Sequence, residues 1–192
     1  FETMGASAFW HMPALTRVDL GGARHVSTNA FRDDAALREV NLRPDLGTLA
    51  SVADGAFVGT GVTSISLPDS VASVDDEAFA KMPALTSFHV GAGLSDLGEY
   101  VLEADERLAT ISVSLSNPTF SVSDGALYRR AEGASTLVRF PPASPATEVV
   151  VVPGTTAIGT AAFENSASLR RVVLPDGLQT IGEGAFDGCA NL

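Results

Sequence analysis

Val62–Leu85 reads VTSISLPDSVASVDDEAFAKMPAL, and Leu169–Leu192 reads LRRVVLPDGLQTIGEGAFDGCANL. With Val62 and Leu169 each taken as position 1, apolar residues recur at positions 1, 4, 6, 10 and 13, an Ala-Phe pair fills 17 and 18, and a new unit opens at 24. Val62, Leu85 and Leu108 are spaced by 23 residues, as are Leu169 and Leu192. A fixed period of this size predicts a solenoid in which one short unit stacks on the next.

The pattern extends outward from these two stretches. Leu15, Val18, Leu20, Val26 and Ala30-Phe31 make a unit one residue short, and Leu37, Val40, Leu42, Val52 and Ala56-Phe57 make one with about three extra loop residues. The unit from Leu85 keeps Phe88, Val90, Leu94 and Leu97 but carries Val101-Leu102 in place of Ala-Phe. Val150, Val152, Ile158 and Ala162-Phe163 recover the pattern before the last unit, and Met4-Gly5 with Ala8-Phe9 places Phe1 at position 10. The expectation is one array over residues 1–192, itself a piece of a longer protein, because neither end shows a polar cap.

Positions 4 and 6 have the alternation of a short strand with inward side chains, as in Ile65 with Leu67, Ile111 with Val113 and Val172 with Leu174. Stacking predicts a single parallel sheet holding Ile65, Ile111 and Val172. Pro68, Pro153 and Pro175 follow the strands and end the ladder, since proline lacks the N–H donor. Asp75-Asp76-Glu77 and Gly182-Glu183-Gly184 fit the first turn of a short helix, where carboxylates suit the dipole. The predicted class is therefore an α/β repeat: right-handed coils of about 23 residues, a parallel sheet on one face and short helices opposite. One unit departs from this pattern at about 114–148. There Ser121–Ser123, Ala126–Arg129 and Thr136–Phe140 read as strands, with Asp124-Gly125 as a hairpin turn.

The string from Leu174 to Leu192, LPDGLQTIGEGAFDGCANL, resembles the BspA-like leucine-rich repeat, as does the degenerate ISLPDSVASVDDEAFAKMPAL. The departing unit resembles a recurrent variant of that family, with Asn117-Pro118 and Phe120 before Asp124-Gly125-Ala126-Leu127-Tyr128. The resemblance implies a leucine-rich-repeat solenoid from a bacterial cell-surface or secreted protein. It also implies adhesion to host or microbial macromolecules, no cofactor and no catalytic residues to carry over. Cys189 falls where such repeats often have cysteine, which implies packing.

Composition narrows the partners. At 45% hydrophobic and 18% charged the chain can build a core, and its net charge of −11 opposes nucleic acid, whose binding needs Lys and Arg to displace counterions. No apolar run is long enough to enter a membrane directly. An adhesion surface would use outward side chains at positions 3 and 5. These are Arg17, Glu39, Ser64, Ser87, Thr110 and Arg171 in one column, and Asp19, Asn41, Ser66, His89, Ser112 and Val173 in the other. Such hydroxyl-rich columns suit a protein or glycan ligand, and equally suit a sheet face that is merely solvated. Ser66, His89 and Ser112 share a column, but a working nucleophile–base pair also needs a carboxylate to orient the histidine, and Asp19 is three rungs away. His11 and His25 read as turn residues without metal-ligand spacing, and Asp33-Asp34 lacks the alternation of a calcium loop, reading instead as helix-start carboxylates. Two functions fit: a non-catalytic binding module, or a passive spacer presenting another domain.

Overall fold

The computed structural model describes residues 3–192, so Phe1 and its assigned repeat position lie outside the described residues. Most coils carry two short strands. In chain order they are β1 (Arg17–Asp19), β2 (His25–Val26), β3 (Glu39–Asn41), β4 (Ser51–Val52), β5 (Ser64–Ser66), β6 (Ser73–Val74), β7 (Ser87–Val90) and β8 (Asp96–Leu97). β9 (Thr110–Val113) leads into β10 (Phe120–Ser123), β11 (Ala126–Ala131) and β12 (Ala134–Arg139). β13 (Glu148–Val150), β14 (Thr155–Ile158), β15 (Arg171–Val173) and β16 (Thr180–Ile181) then resume the alternation.

The result is a parallel-strand β-solenoid of about seven turns with the leucine-rich-repeat fold. The first ladder is laid down in three pieces, β1-β3, β5-β7-β9 and β13-β15. Ile65, Phe88 and Ile111 lie side by side in the middle piece, whereas Val172 pairs with Val149 in the last. The expected single sheet is thus broken, because the inserted strands follow β9 where the next rung would stand. A second ladder, β2-β4-β6-β8, runs along another side of the coils. Its two-residue strands put the apolar residue of position 13 inward (Val26, Val52, Val74 and Leu97 are buried), and two residues are too few to leave an alternation in the sequence. His25 belongs to β2 and not to a turn.

Among the described residues no helix forms, and the short helices expected opposite the sheet are replaced by an arch. Positions 16 and 20 adopt positive φ in every arch, as in Asn29 (54°) and Asp33 (62°), Gly55 (60°) and Gly59 (72°), and Glu77 (51°) and Lys81 (57°). A left-handed residue every fourth step cannot continue a right-handed helix. It turns alternate N–H groups toward the neighbouring coil instead. Gly55, Phe57 and Gly59 donate to the carbonyls of Asp76, Ala78 and Ala80, and Glu77, Phe79 and Lys81 donate to those of Glu99, Val101 and Glu103, at 2.8–3.4 Å. Five coil junctions carry this triplet of bonds from positions 16, 18 and 20.

The Ala-Phe pair explains why the arches pack so closely. The rings of Phe9, Phe31, Phe57 and Phe79 form a continuous stack with centroids 5.2–5.3 Å apart. Phe140, Phe163 and Phe186 form a second stack at 5.5 and 5.0 Å. The carboxylates read as helix starters do other work. Asp34 is fully buried and its Oδ1 accepts the Met12 N–H at 2.5 Å, while Asp76 Oδ1 accepts the Glu99 N–H at 2.8 Å. Cys189 is half-buried, and its Sγ–H donates to the Phe163 carbonyl at 3.0 Å.

The departing unit is a three-stranded antiparallel meander, β10-β11-β12, whose last strand joins β14 in parallel. Asp124 and Gly125 turn between β10 and β11 with φ of 47° and 78°, the positive pair that a tight hairpin requires. β11 divides the core. Leu127 packs into the cluster of the first coils, whereas Ala126 and Tyr128 pack into that of the last ones. In the following coil the buried residues are Val149 and Val151, not Val150 and Val152, and Val150 is 47% exposed. Pro153 stands one residue further from its strand than Pro68 or Pro175, so anchoring the alignment on proline slips the register by one.

Candidate binding face

The outward side chains of the first ladder fall in register. Ser64, Ser87 and Thr110 form one row across β5, β7 and β9, and Ser66, His89 and Ser112 form the next. Period-two alternation puts these six on the face opposite Ile65, Phe88 and Ile111, which are 3%, 1% and 6% exposed. His89 and Ser112 are joined through Nδ1 and Oγ at 2.9 Å. Among the described residues no carboxylate hydrogen-bonds to His89, and Asp19, the one carboxylate of its column, lies in a different sheet. His25 and Ser51 make the same kind of pair on the second ladder, at 2.8 Å.

The charged members at the two ends pair among themselves. Arg17 and Glu39 stand opposite each other with a 3.5 Å ion pair. Asn41 Nδ2 donates to Asp19 at 3.0 Å, and Arg43 reaches the same carboxylate at 3.4 Å. The Gly21 N–H, with help from Arg43, holds the Asp19 carboxyl below its ordinary range. At the other end Arg171 pairs with Glu148 at 3.2 Å. Glu148 and Val150 occupy positions 3 and 5 beside Arg171 and Val173, and sequence reasoning missed both through the one-residue slip. The face therefore has ion-paired ends and a hydroxyl-rich centre. The structure does not unite all twelve outward residues in one sheet: Arg17, Asp19, Glu39 and Asn41 sit on β1-β3, Arg171 and Val173 on β15, and the other six on β5-β7-β9.

Elsewhere, a cleft of about 320 Å³ opens between the arch of residues 97–103 and the sheet of β12, β14 and β16. At its base Arg139, only 5% exposed, donates to the Ala161 carbonyl and pairs with Glu164 at 3.3 Å. Nearby Asp105 is fully buried, accepts the Met82 N–H at 2.7 Å through Oδ1, and leaves Oδ2 without a partner. Burial pushes its carboxyl up to about 8. Among the described residues no group of three His, Cys, Asp or Glu side chains could hold a metal ion, and no helix is long and apolar enough to cross a membrane.

Solved structures share this architecture. A leucine-rich repeat protein from Eubacterium ventriosum superposes with a TM-score of 0.68 at 20% identity, covering 92% of this chain and 52% of that one. The pneumococcal vaccine antigen PcpA gives 0.69 at 18% identity, with 94% and 48% covered. A leucine-rich cell surface protein from Faecalibacterium prausnitzii gives 0.54 at 20% identity, with 100% and 69% covered. The chain thus spans about half the length of the first two, and at such identities the likeness concerns the fold. No curated protein is similar to it in sequence. The model of the BspA type leucine-rich repeat region matches in six copies, over residues 2–129 and 143–192. With the coil geometry and that match in agreement, the chain belongs to the BspA-type leucine-rich-repeat family.

Proposed function

We propose that this chain is a non-catalytic binding module of a bacterial cell-surface or secreted protein, and that it engages a protein or glycan through the outward face of β5-β7-β9. The observation that carries the reading is the hydroxyl-rich patch of Ser64, Ser66, Ser87, His89, Thr110 and Ser112, held in register on one sheet between ion-paired ends. Small hydroxyls in fixed rows offer both donors and acceptors with little side-chain entropy to lose on binding. The family, and structural neighbours named as a cell surface protein and a vaccine antigen, support a surface location; the partners proposed for such a surface are host matrix proteins or microbial surface glycans. The net charge of −11 disfavours nucleic acid.

The test is binding of the purified chain to immobilised matrix proteins and glycans, followed by substitution in the responding pair. His89→Ala and Ser66→Ala each weaken binding about tenfold, as central contacts do, while Arg17→Ala and Glu39→Ala change it less than about twofold. A panel without a responding ligand, or binding that ignores His89→Ala, overturns the reading. One observation favours a passive spacer instead: Arg17, Glu39, Asp19 and Arg171 spend their charges on partners within the face. A spacer predicts that every substitution on the face is silent in cell attachment.

A further inference from the structure

The cleft is a missing rung. At five junctions the N–H groups of positions 16, 18 and 20 donate to the next coil, but the coil from Leu85 has no such neighbour. The inserted strands shortcut the following unit. Leu137 takes the place of position 13, since its carbonyl accepts the Gly159 N–H, and Phe140 takes that of position 18, since its N–H donates to Ala162 and its ring stacks on Phe163. Only two residues, Val138 and Arg139, separate them, where a regular coil has the four that begin its arch, as between Val74 and Phe79.

Side chains cap part of the loss. Ala104, at position 20, donates its N–H to Glu164 Oε2 at 3.2 Å, a contact 60 residues apart in sequence. The Leu97 carbonyl, which elsewhere would receive the next coil's position 14, accepts the Arg129 guanidinium. Tyr100 and Leu102, at positions 16 and 18, line the cleft, and neither N–H makes a hydrogen bond among the described residues. Backbone donors left without a protein partner at a cleft are free to bond an acceptor that enters it. Arg139 lines the same cleft with Nε and Nη2 unpartnered although its side chain is 6% exposed.

We propose that this cleft is a second binding site, one that takes a short extended peptide segment whose alternate carbonyls accept the Tyr100 and Leu102 N–H groups. The occupant continues the coil-to-coil ladder that the chain already uses, which is strand addition applied to an arch. Phe140 already fills the ring position behind it, so the segment's own residues are small. Glu99 and Glu103 in the lining are offset by Arg129 and Arg139, so basic flanks on the segment answer only to the chain's net charge of −11. This site is separate from the hydroxyl-rich face and stands or falls without it.

The probe is the synthetic peptide acetyl-Lys-Gly-Ala-Gly-Ala-Gly-Lys-amide, added to the isotope-labelled chain with amide exchange followed by NMR. In the free chain Tyr100 and Leu102 exchange with solvent much faster than Phe57 and Phe79. The peptide slows both by about tenfold at saturation and leaves Phe57 unchanged. Ala157→Trp, on the half-buried outer side of β14, fills the cleft and abolishes that effect while the slow exchange of Phe57 certifies the fold. Slow exchange at Tyr100 and Leu102 in the free chain, peptide-induced changes confined to other residues, or an unaltered response in Ala157→Trp would each overturn the proposal.

Discussion

Asp105 and Asp34 occupy the same place in their coils, where other coils have Thr60, Met82, Ser166 and Cys189, and each caps a backbone N–H of the preceding coil. For Asp105 the cap comes with a charge that its surroundings disfavour. The carboxyl titrates near 8 when folded, against 3.8 unfolded, so between those values the folded chain holds a proton that the unfolded chain has lost. Its contribution to stability is therefore full below the unfolded value and lost as pH rises through about 8. Asp105→Asn keeps the Oδ1 acceptor and cannot ionise. Denaturant unfolding of the two proteins is expected to agree within about 1 kcal/mol at pH 4, and the variant to be more stable by roughly 1–3 kcal/mol at pH 9. A gap that shrinks with rising pH would contradict this. Little of it was legible beforehand, because the sequence shows a carboxylate in a variable column and not the depth at which it sits.

The arch is the element that sequence reasoning misjudged, and the reason is physical. Asp75-Asp76-Glu77 before Ala78-Phe79 satisfies helix-start preferences, yet those preferences are worth a few tenths to about 1 kcal/mol each, less than three backbone bonds to a neighbouring coil. Left-handed φ at Glu77 and Lys81 carries no signature in those residue types, although Gly55 with Gly59 and Gly184 with Gly188 carry it elsewhere. The ring of Phe57 is fully buried between those of Phe31 and Phe79. Phe57→Ala should cost about 3–5 kcal/mol in urea unfolding, and Phe57→Leu less than half of that, since Leu102 already serves at this position. In the insertion Asn117 does the comparable fastening. It is 3% exposed, donates to the Gly91 and Leu94 carbonyls at 2.7 and 3.0 Å, and accepts the Thr119 and Phe120 N–H groups at 2.8 and 2.7 Å. Asn117→Ala strands these groups and should cost about 2–4 kcal/mol, with β10 losing amide protection first.

At the scale of the whole molecule, periodicity made the stack legible: Ile65, Phe88 and Ile111 sit in register as the 23-residue spacing requires. The same spacing gave the polar rows of β5-β7-β9, because inward and outward residues alternate strictly once the inward ones are known. It did not give the break in the ladder, the second ladder or the cleft, which arise from how a shortened unit meets a regular one. The fold as a whole requires that arch N–H groups bond outside their own coil. Residue-by-residue amide exchange on the intact chain reads this directly. Asn29, Phe31, Gly55, Phe57, Glu77, Phe79, Ala161 and Phe163 are predicted to exchange slowly, since each donates to the next coil. In a short helix with the acidic cluster as its first turn, the position-16 amides of Asn29, Gly55, Glu77 and Ala161 would have no partner, while the phenylalanine amides would bond back within their own coil. Fast exchange at those four, with protection beginning only at the phenylalanines, would contradict the fold described above and the face that depends on it.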